Sequence, residues 1–509
     1  MRQLTYLKIF MLSFLLIGFS ACDSFLDVNE NPNEPEFVDE NLQLPALLGY
    51  FSYRVIANEP VRVSSQWIQQ TAWNGVQPSA DTYDYIESDP NNFWGVYSYV
   101  TVMNNVKTLI AQAEENGMNA YAGMGKVVLA WNMSLITDFF NEAPYSEAFD
   151  PSNTTPGYDS QEEIYEAIFD LLSEALDDFA DPGPITPGSD DLLYGGDLDK
   201  WTRMTNTLIA RYNMRLSEAP GNTRVNRANA ALQALGVGFG SNADDANFAY
   251  AVTAGQENPW YQFVIDSKWD TRNQLSRTYV NMLKELEDPR LPVQARQAGA
   301  VSVDGEVSGF TPEPFSSDMY ALDDSTYFGH LNAHNGVGQT NVSSIGSFYS
   351  APDAPVTWIS YAEAKFLEAE ATLFTGGAAL AQPVLHDAVR ASMEKLGVDD
   401  IAIDAYLFNL VDLAALVSEE AAHEQIMTQK YIASFLSVEA YHDWRRTGYP
   451  DISPVDPPAG QVQPELSEIP RRFPYPTNEF QYNADNVANT GVLRGYDSMT
   501  FRVWWDTRD

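Results

Sequence analysis

The side chains able to do chemistry are scarce in some types and abundant in others. Cys22 is the one cysteine among 509 residues, so neither an internal disulfide nor a cysteine-based zinc site can form. His330 and His334 stand four apart, a spacing that puts two imidazoles on one metal when the backbone is helical. Gly329, Asn332, Asn335 and Gly336 surround them, and Leu331 holds the place of the glutamate that follows the first histidine of zinc peptidases. They read as polar loop histidines rather than ligands. The pairs Asp190-Asp191, Asp244-Asp245 and Asp323-Asp324 offer hard oxygens of the kind calcium takes, without the spacing of an EF-hand. Turn aspartates account for them more simply. No cofactor is expected, with calcium as the open alternative. Carboxylates are too numerous to single out a glycosidase pair. Glu363, Glu368 and Glu370 share one helical segment and read as a solvated or helix-stabilising face. No G-x-S-x-G elbow, phosphate loop or dinucleotide glycine fingerprint occurs, so no enzyme of those classes is expected.

Flat rings are the other chemistry on offer. Trp73, Tyr83, Tyr85, Tyr320, Tyr327 and Phe328 lie in or beside loops, and Asn74, Gln77 and Asn332 bring amides near them. Rings present apolar faces to the C–H faces of sugars or to peptide side chains, while amides fix orientation. For each ring taken singly, burial in the core is the simpler explanation. Trp94, Trp131, Trp201 and Trp444 fall on helical stripes and read as core. The formal net charge is −41, from 70 acidic and 29 basic residues, which repels nucleic acid and anionic lipid. A solvated surface and a salt-rich habitat explain it equally well.

The elements that must hold these rings are mostly helical. The three- and four-residue spacing of apolar residues marks helices over 93–112 and 120–140, joined by a turn at Asn116-Gly117, and over 164–179, 200–217, 358–374 and 383–396. Leu42, Ala46, Leu47 and Phe51 begin an earlier stripe. Ser160 and Glu163 have the spacing of a capping box. The stretch 424–450 reads as one buried helix with Met427, Tyr431, Phe435 and Val438 on a single face, Arg445 and Arg446 in the last turn, and Gly448 and Pro450 as its stop. Residues 236–355 are dense in Gly, Asn, Asp, Ser and Pro. Helical period survives there only around 279–287, so this segment is expected to fold over the scaffold as an insertion with a few short strands, such as 301–307.

The wording of these segments is more specific than their periodicity. Gln429, Lys430, Tyr431, Ile432 and Phe435, followed by Tyr441, Asp443, Trp444, Arg445, Arg446, Thr447, Gly448, Tyr449 and Pro450, resemble the SusD/RagB family of outer-membrane lipoproteins. KWTRMTNTLIARYNMRLS at 200–217, YAEAKFLEAEA at 361–371, FFNEAPYSEAF at 139–149 and RRFPYPTNEFQYN at 471–483 are similar to further strings of that family. Asn141 and Glu142 depart from it where Gly and Asp are usual. The N-terminus resembles a bacterial lipoprotein signal: Arg2 and Lys8, an apolar run over 9–17, then Ser20 and Ala21 before Cys22. Phe19 stands where Leu is commoner.

The resemblance implies a mainly α fold of stacked, tetratricopeptide-like helical hairpins carrying the loop-rich insertion. It implies a signal peptide at 1–21, a lipidated tether at 22–40 and one helical domain at 41–509. It further implies outer-membrane lipid on Cys22, a SusC-like TonB-dependent barrel as partner, and an oligosaccharide ligand, with oligopeptide or a non-binding lid as alternatives.

Overall fold

The computed structural model describes residues 38–150, 152–265, 272–298, 326–336, 341–457 and 459–508. Cys22, the tether, Tyr320, Asp323-Asp324 and the strand expected at 301–307 lie outside these residues. Helix α1 (Glu40–Tyr50) runs into a π-helical turn, Phe51–Ile56, and buries Leu44, Leu47, Leu48 and Phe51. The expected stripe through Leu42 and Ala46 is therefore corrected. Leu42 is 61% exposed, because the three- and four-residue steps from Leu44 define the inner face instead. Helix α2 (Glu59–Trp67) leads to strand β1 (Thr71–Trp73).

A π-helical segment, Asn92–Met103, continues as α3 (Asn104–Glu115). Gly117, at φ 67°, turns the chain into α4 (Asn119–Phe140), which is buried along almost its whole length. Helix α5 (Gln161–Ala180) starts at the expected box: Ser160 Oγ accepts from the Glu163 amide, and Glu163 accepts from the Ser160 amide at 2.9 Å. Helices α6 (Leu198–Arg215) and α7 (Arg224–Leu235) form the next pair. Helix α7 is not among the segments expected from apolar spacing.

The insertion supplies β2 (Asn247–Phe248), α8 (Pro259–Val264), β3 (Asn273–Leu275) and α9 (Arg277–Glu285). Strand β4 (Val356–Thr357) pairs antiparallel with β2. Helix α10 (Tyr361–Gly376) starts three residues later than expected, since Ser360 caps it by accepting from the Glu363 amide. Helix α11 (Ala378–Lys395) contains Pro383 rather than beginning there. Helix α12 (Asp400–Asn409) follows, also unread in the sequence.

The stretch 424–450 is two helices, not one. Helix α13 (Glu419–Ala433) ends in a turn with Leu436 at φ 59°, and α14 (Val438–Thr447) restarts with Ser437 Oγ accepting from the Glu439 amide. Tyr431, Phe435 and Val438 are buried all the same, so counting apolar positions could not reveal the break. Gly448, at φ 74°, ends α14 as expected.

Among the described residues the core forms two clusters, the smaller one among α7, α10, α11, α12 and α13. Helix α6 serves both, with Leu208 and Tyr212 in the larger and Ala210 and Met214 in the smaller. The same bridging helices carry a buried ionic seam. Arg211 grips Glu363 through two bonds of 2.6 and 2.9 Å, and Arg215 pairs with Asp138 and Glu439. Arg446 grips Glu370 at 2.6 and 2.8 Å and also reaches Asp443, while His423 meets Glu370 at 2.8 Å and Lys430 meets Asp443 at 2.7 Å. Arg445 lies against the rings of Tyr441 and Trp505.

The reading of Glu363 and Glu370 as a solvated face is thus corrected. They are 8% and 0% exposed, because arginines from other helices neutralise them inside. Burial alone would raise the Glu370 carboxyl, but Arg446 and His423 outweigh it and hold the group well below the usual carboxylate range.

Candidate functional site

Strands β1 and β3 pair antiparallel, Thr71 opposite Leu275 and Trp73 opposite Asn273, which fixes the loop that leaves β1 to the body of the protein. The Asn74 amide continues the ladder by donating to the Arg272 carbonyl at 2.8 Å. Trp73 is half-buried, and the Arg272 guanidinium lies 5.8 Å from the centre of its ring. Gly75 fits beneath both: a Cβ there would meet the indole at 2.5 Å and the Arg272 side chain at 2.7 Å. Gly336 closes against the backbone of Asn74 and donates to the Gly75 carbonyl at 2.9 Å.

A buried carboxylate ties the loop. Asp81 accepts from the Trp73 amide at 2.9 Å, from Gln77 Nε2 at 2.8 Å and from Ser79 Oγ at 2.9 Å. Burial nevertheless pushes its carboxyl above the ordinary range. Around the ring, Asn335 accepts from the Gln77 amide at 3.0 Å and donates to Gln461 at 2.9 Å. Val76, Pro78, Arg272 and Asn335 are exposed beside it. The result is a half-buried ring on a tied loop with an exposed guanidinium beside it, suited to holding a ligand by stacking and hydrogen bonds.

Of the ring and amide residues proposed from sequence, Trp73 and Asn74 sit on this surface. Phe328 is half-buried near the far end of β3, under the Arg277 guanidinium at 4.2 Å. Three rings are corrected. Tyr83 and Tyr327 are fully buried and Tyr85 is 5% exposed. Tyr83 oxygen accepts from the Val455 amide at 2.9 Å, and the Tyr85 hydroxyl donates to Glu59 at 2.6 Å. Their loop folds back onto the core, so loop position did not mean surface.

Asn332 is corrected too. Its amide donates to the Thr71 carbonyl at 2.8 Å and its oxygen accepts from Ser276 at 2.6 Å, which makes it a brace for β1. Arg272, Asn335 and Gln461 went unread. They come from three distant segments, and no local pattern announces them.

The alternative chemistries find their groups engaged elsewhere. His330 Nε2 donates to the His334 carbonyl at 3.2 Å, and His334 Nδ1 to the Asn332 carbonyl at 2.9 Å, so both rings brace their own loop. Among the described residues no group of three or more His, Cys, Asp or Glu is placed to hold a metal. Asp191 accepts from the Trp201 indole at 2.8 Å and the Gly196 amide at 2.9 Å. Asp244 accepts from the Gly240 amide at 2.7 Å, and Asp245 from the Tyr361 amide at 2.7 Å.

Stacked helical hairpins with a ring-bearing loop surface define a scaffold for binding. The family profile described as "Starch-binding associating with outer membrane", of the SusD-like type, matches residues 38–476. The chain belongs to the SusD-like family of nutrient-binding outer-membrane proteins. Similar solved structures agree. A SusD/RagB family protein from Bacteroides thetaiotaomicron is 24% identical, with a TM-score of 0.72 over 93% of this chain and 100% of that one. A chitin-binding protein is 26% identical, with a TM-score of 0.73 over 92% and 100%. A chitin-binding SusD homolog from Flavobacterium johnsoniae is 24% identical, with a TM-score of 0.73 over 92% and 99%. No curated protein matches the sequence. Among the described residues no helix is long and apolar enough to cross a membrane.

Proposed function

We propose that this protein is a cell-surface lipoprotein that captures oligosaccharide on the Trp73 surface and passes it to a SusC-like TonB-dependent barrel. The observation that carries the ligand class is the half-buried Trp73 ring, held on a β-ladder with the exposed Arg272 guanidinium 5.8 Å from its centre. The names of two chitin-binding relatives support the same choice. The mechanism is capture, closure over the barrel and handover, without bond-making. The lipid anchor is Cys22, and the acidic, proline-bearing segment after it joins lipid to body.

Titration calorimetry against chito- and malto-oligosaccharides and against peptide mixtures tests the ligand. Binding of a glycan that weakens in Trp73→Ala is expected. Heat from peptides alone overturns the oligosaccharide reading. For the anchor, Cys22→Ala is expected to leave the membrane fraction; a variant that stays bound without detergent removes lipid as the attachment.

A further inference from the structure

Two guanidiniums stand apart from the others in this anionic chain. Arg54 lies on the π-helical turn Phe51–Ile56 and Arg62 on α2, both half-buried. Neither forms an ion pair or donates a hydrogen bond among the described residues, and the Arg62 Nε is enclosed without a partner. Each guanidinium carries five N–H donors. The buried Arg211, Arg215 and Arg446 and the surface Arg390 are all matched to carboxylates. With 70 acidic against 29 basic residues, carboxylates are plentiful, so two arginines left without one call for another kind of partner.

The two converge on one set of rings. The Arg54 guanidinium lies 4.9 Å from the centre of the Tyr53 ring and 5.4 Å from that of Tyr97. Arg62 lies 4.5 Å from the centre of the Phe263 ring, and the same Tyr53 and Tyr97 act on its charge. Tyr97 belongs to the π-helical segment Asn92–Met103, which packs against the π-helical turn carrying Arg54. Such stretches are rare and frequent at functional sites. Nearby carboxylates are engaged elsewhere. Glu59 accepts from the Tyr85 hydroxyl at 2.6 Å, Glu257 from the Gly255 amide at 2.6 Å, and Asp89 from the Ile86 amide at 2.7 Å. Burial therefore pulls the Arg62 guanidinium below its ordinary value, with Glu59 opposing it only in part. Rings cover the faces of both guanidiniums and leave their N–H edges, the part that matches paired oxygens.

We infer that Arg54 and Arg62 form an oxyanion site, which takes a carboxylate, sulfate or phosphate group between their free edges. The site is carried by other segments than the Trp73 loop and stands or falls independently of the function proposed above. Two charge-assisted contacts put the dissociation constant near the millimolar range.

The probes are sodium acetate, sulfate and phosphate, each exchanged against sodium chloride at constant ionic strength on the full chain. Binding is followed by NMR of the arginine Nε–Hε signals. Saturable shifts of the Arg54 and Arg62 signals with at least one probe are expected. Acetate ahead of the others identifies a planar carboxylate, and sulfate or phosphate ahead identifies a tetrahedral group. Arg54→Gln should weaken binding, read at Arg62, at least about tenfold, and Arg62→Gln should do the same read at Arg54. Arg390→Gln on α11, where the guanidinium already pairs with Asp404, should change nothing. If Arg62→Gln does not fold, by circular dichroism, Arg54→Gln decides alone. Chloride as effective as every oxyanion overturns the inference, as does an equal response at Arg390 or binding that survives Arg54→Gln. So does the absence of any saturable shift up to roughly tenfold the expected constant.

Discussion

The ionic seam and the Trp73 surface use the same kinds of side chain to opposite ends. In the seam, Arg211, Arg215 and Arg446 are buried, and each guanidinium is matched to carboxylates from other helices. At the surface, Arg272 lies exposed near a half-buried indole, with amides around it. The seam fixes how helices meet, since a misplaced helix would strand a charge in the interior. The surface leaves polar groups facing water, where a ligand can exchange with it. The family-like strings at 200–217, 361–371 and 424–450 supply the seam, so the most recognisable text is the part that builds and not the part that binds.

The largest effect should come from breaking the seam. Glu370→Ala leaves Arg446 and His423 buried without their carboxylate and is expected to cost about 3–5 kcal/mol in denaturant unfolding. A loss below about 1 kcal/mol would place the stabilisation elsewhere.

The next test is pH. Burial and the Arg215 cation bring His442 down to about 4. The unfolded chain binds that proton near 6.5, so this contribution is fully present above 6.5 and is lost as pH falls from 6.5 towards 4, by about 3 kcal/mol. His442→Gln should flatten the acid limb of stability against pH. An unchanged limb would assign acid sensitivity to other groups.

At the surface, Trp73→Ala should weaken glycan binding by about 1–2 kcal/mol, roughly five- to thirtyfold, while unfolding shifts far less than for Glu370→Ala. Equal losses in binding and stability would erase the contrast between the regions.

The counterpart of His442 is Glu59, under Tyr85, which burial pushes up to about 7. Its contribution is present below about 4.5 and is lost as pH rises through 7, the reverse of His442. Glu59→Gln should remove an alkaline slope comparable in size to the acid slope of His442, measured as melting temperature between pH 5 and 8.

Local signals in the sequence were legible where neighbours along the chain decide the outcome. Ser160 and Glu163 cap α5, and Gly117 and Gly448 end their helices, because each requirement is met within a few residues. The break at Leu436 escaped notice because the apolar spacing continues across it. Glu363 and Glu370 were misread because charged residues look alike in sequence whether water or an arginine from another helix neutralises them. Tyr83, Tyr85 and Asn332 were misread for a related reason: a loop that folds inward spells like one that stays out. The site's Arg272, Asn335 and Gln461 meet only through β pairing and loop closure, which lie beyond any short window of text.

The seam also changes the protein's exterior. Among the described residues, eleven of the chain's 29 basic side chains are buried, against thirteen of its 70 acidic ones. Cations are withdrawn from the outer skin far more heavily than anions. The buried charges nearly cancel, so dissolved counterions see a shell that carries almost the whole formal charge of −41 on fewer cations, while the paired charges beneath lie out of their reach. Raising ionic strength will quiet repulsion between neighbouring molecules and leave the joints between helices untouched.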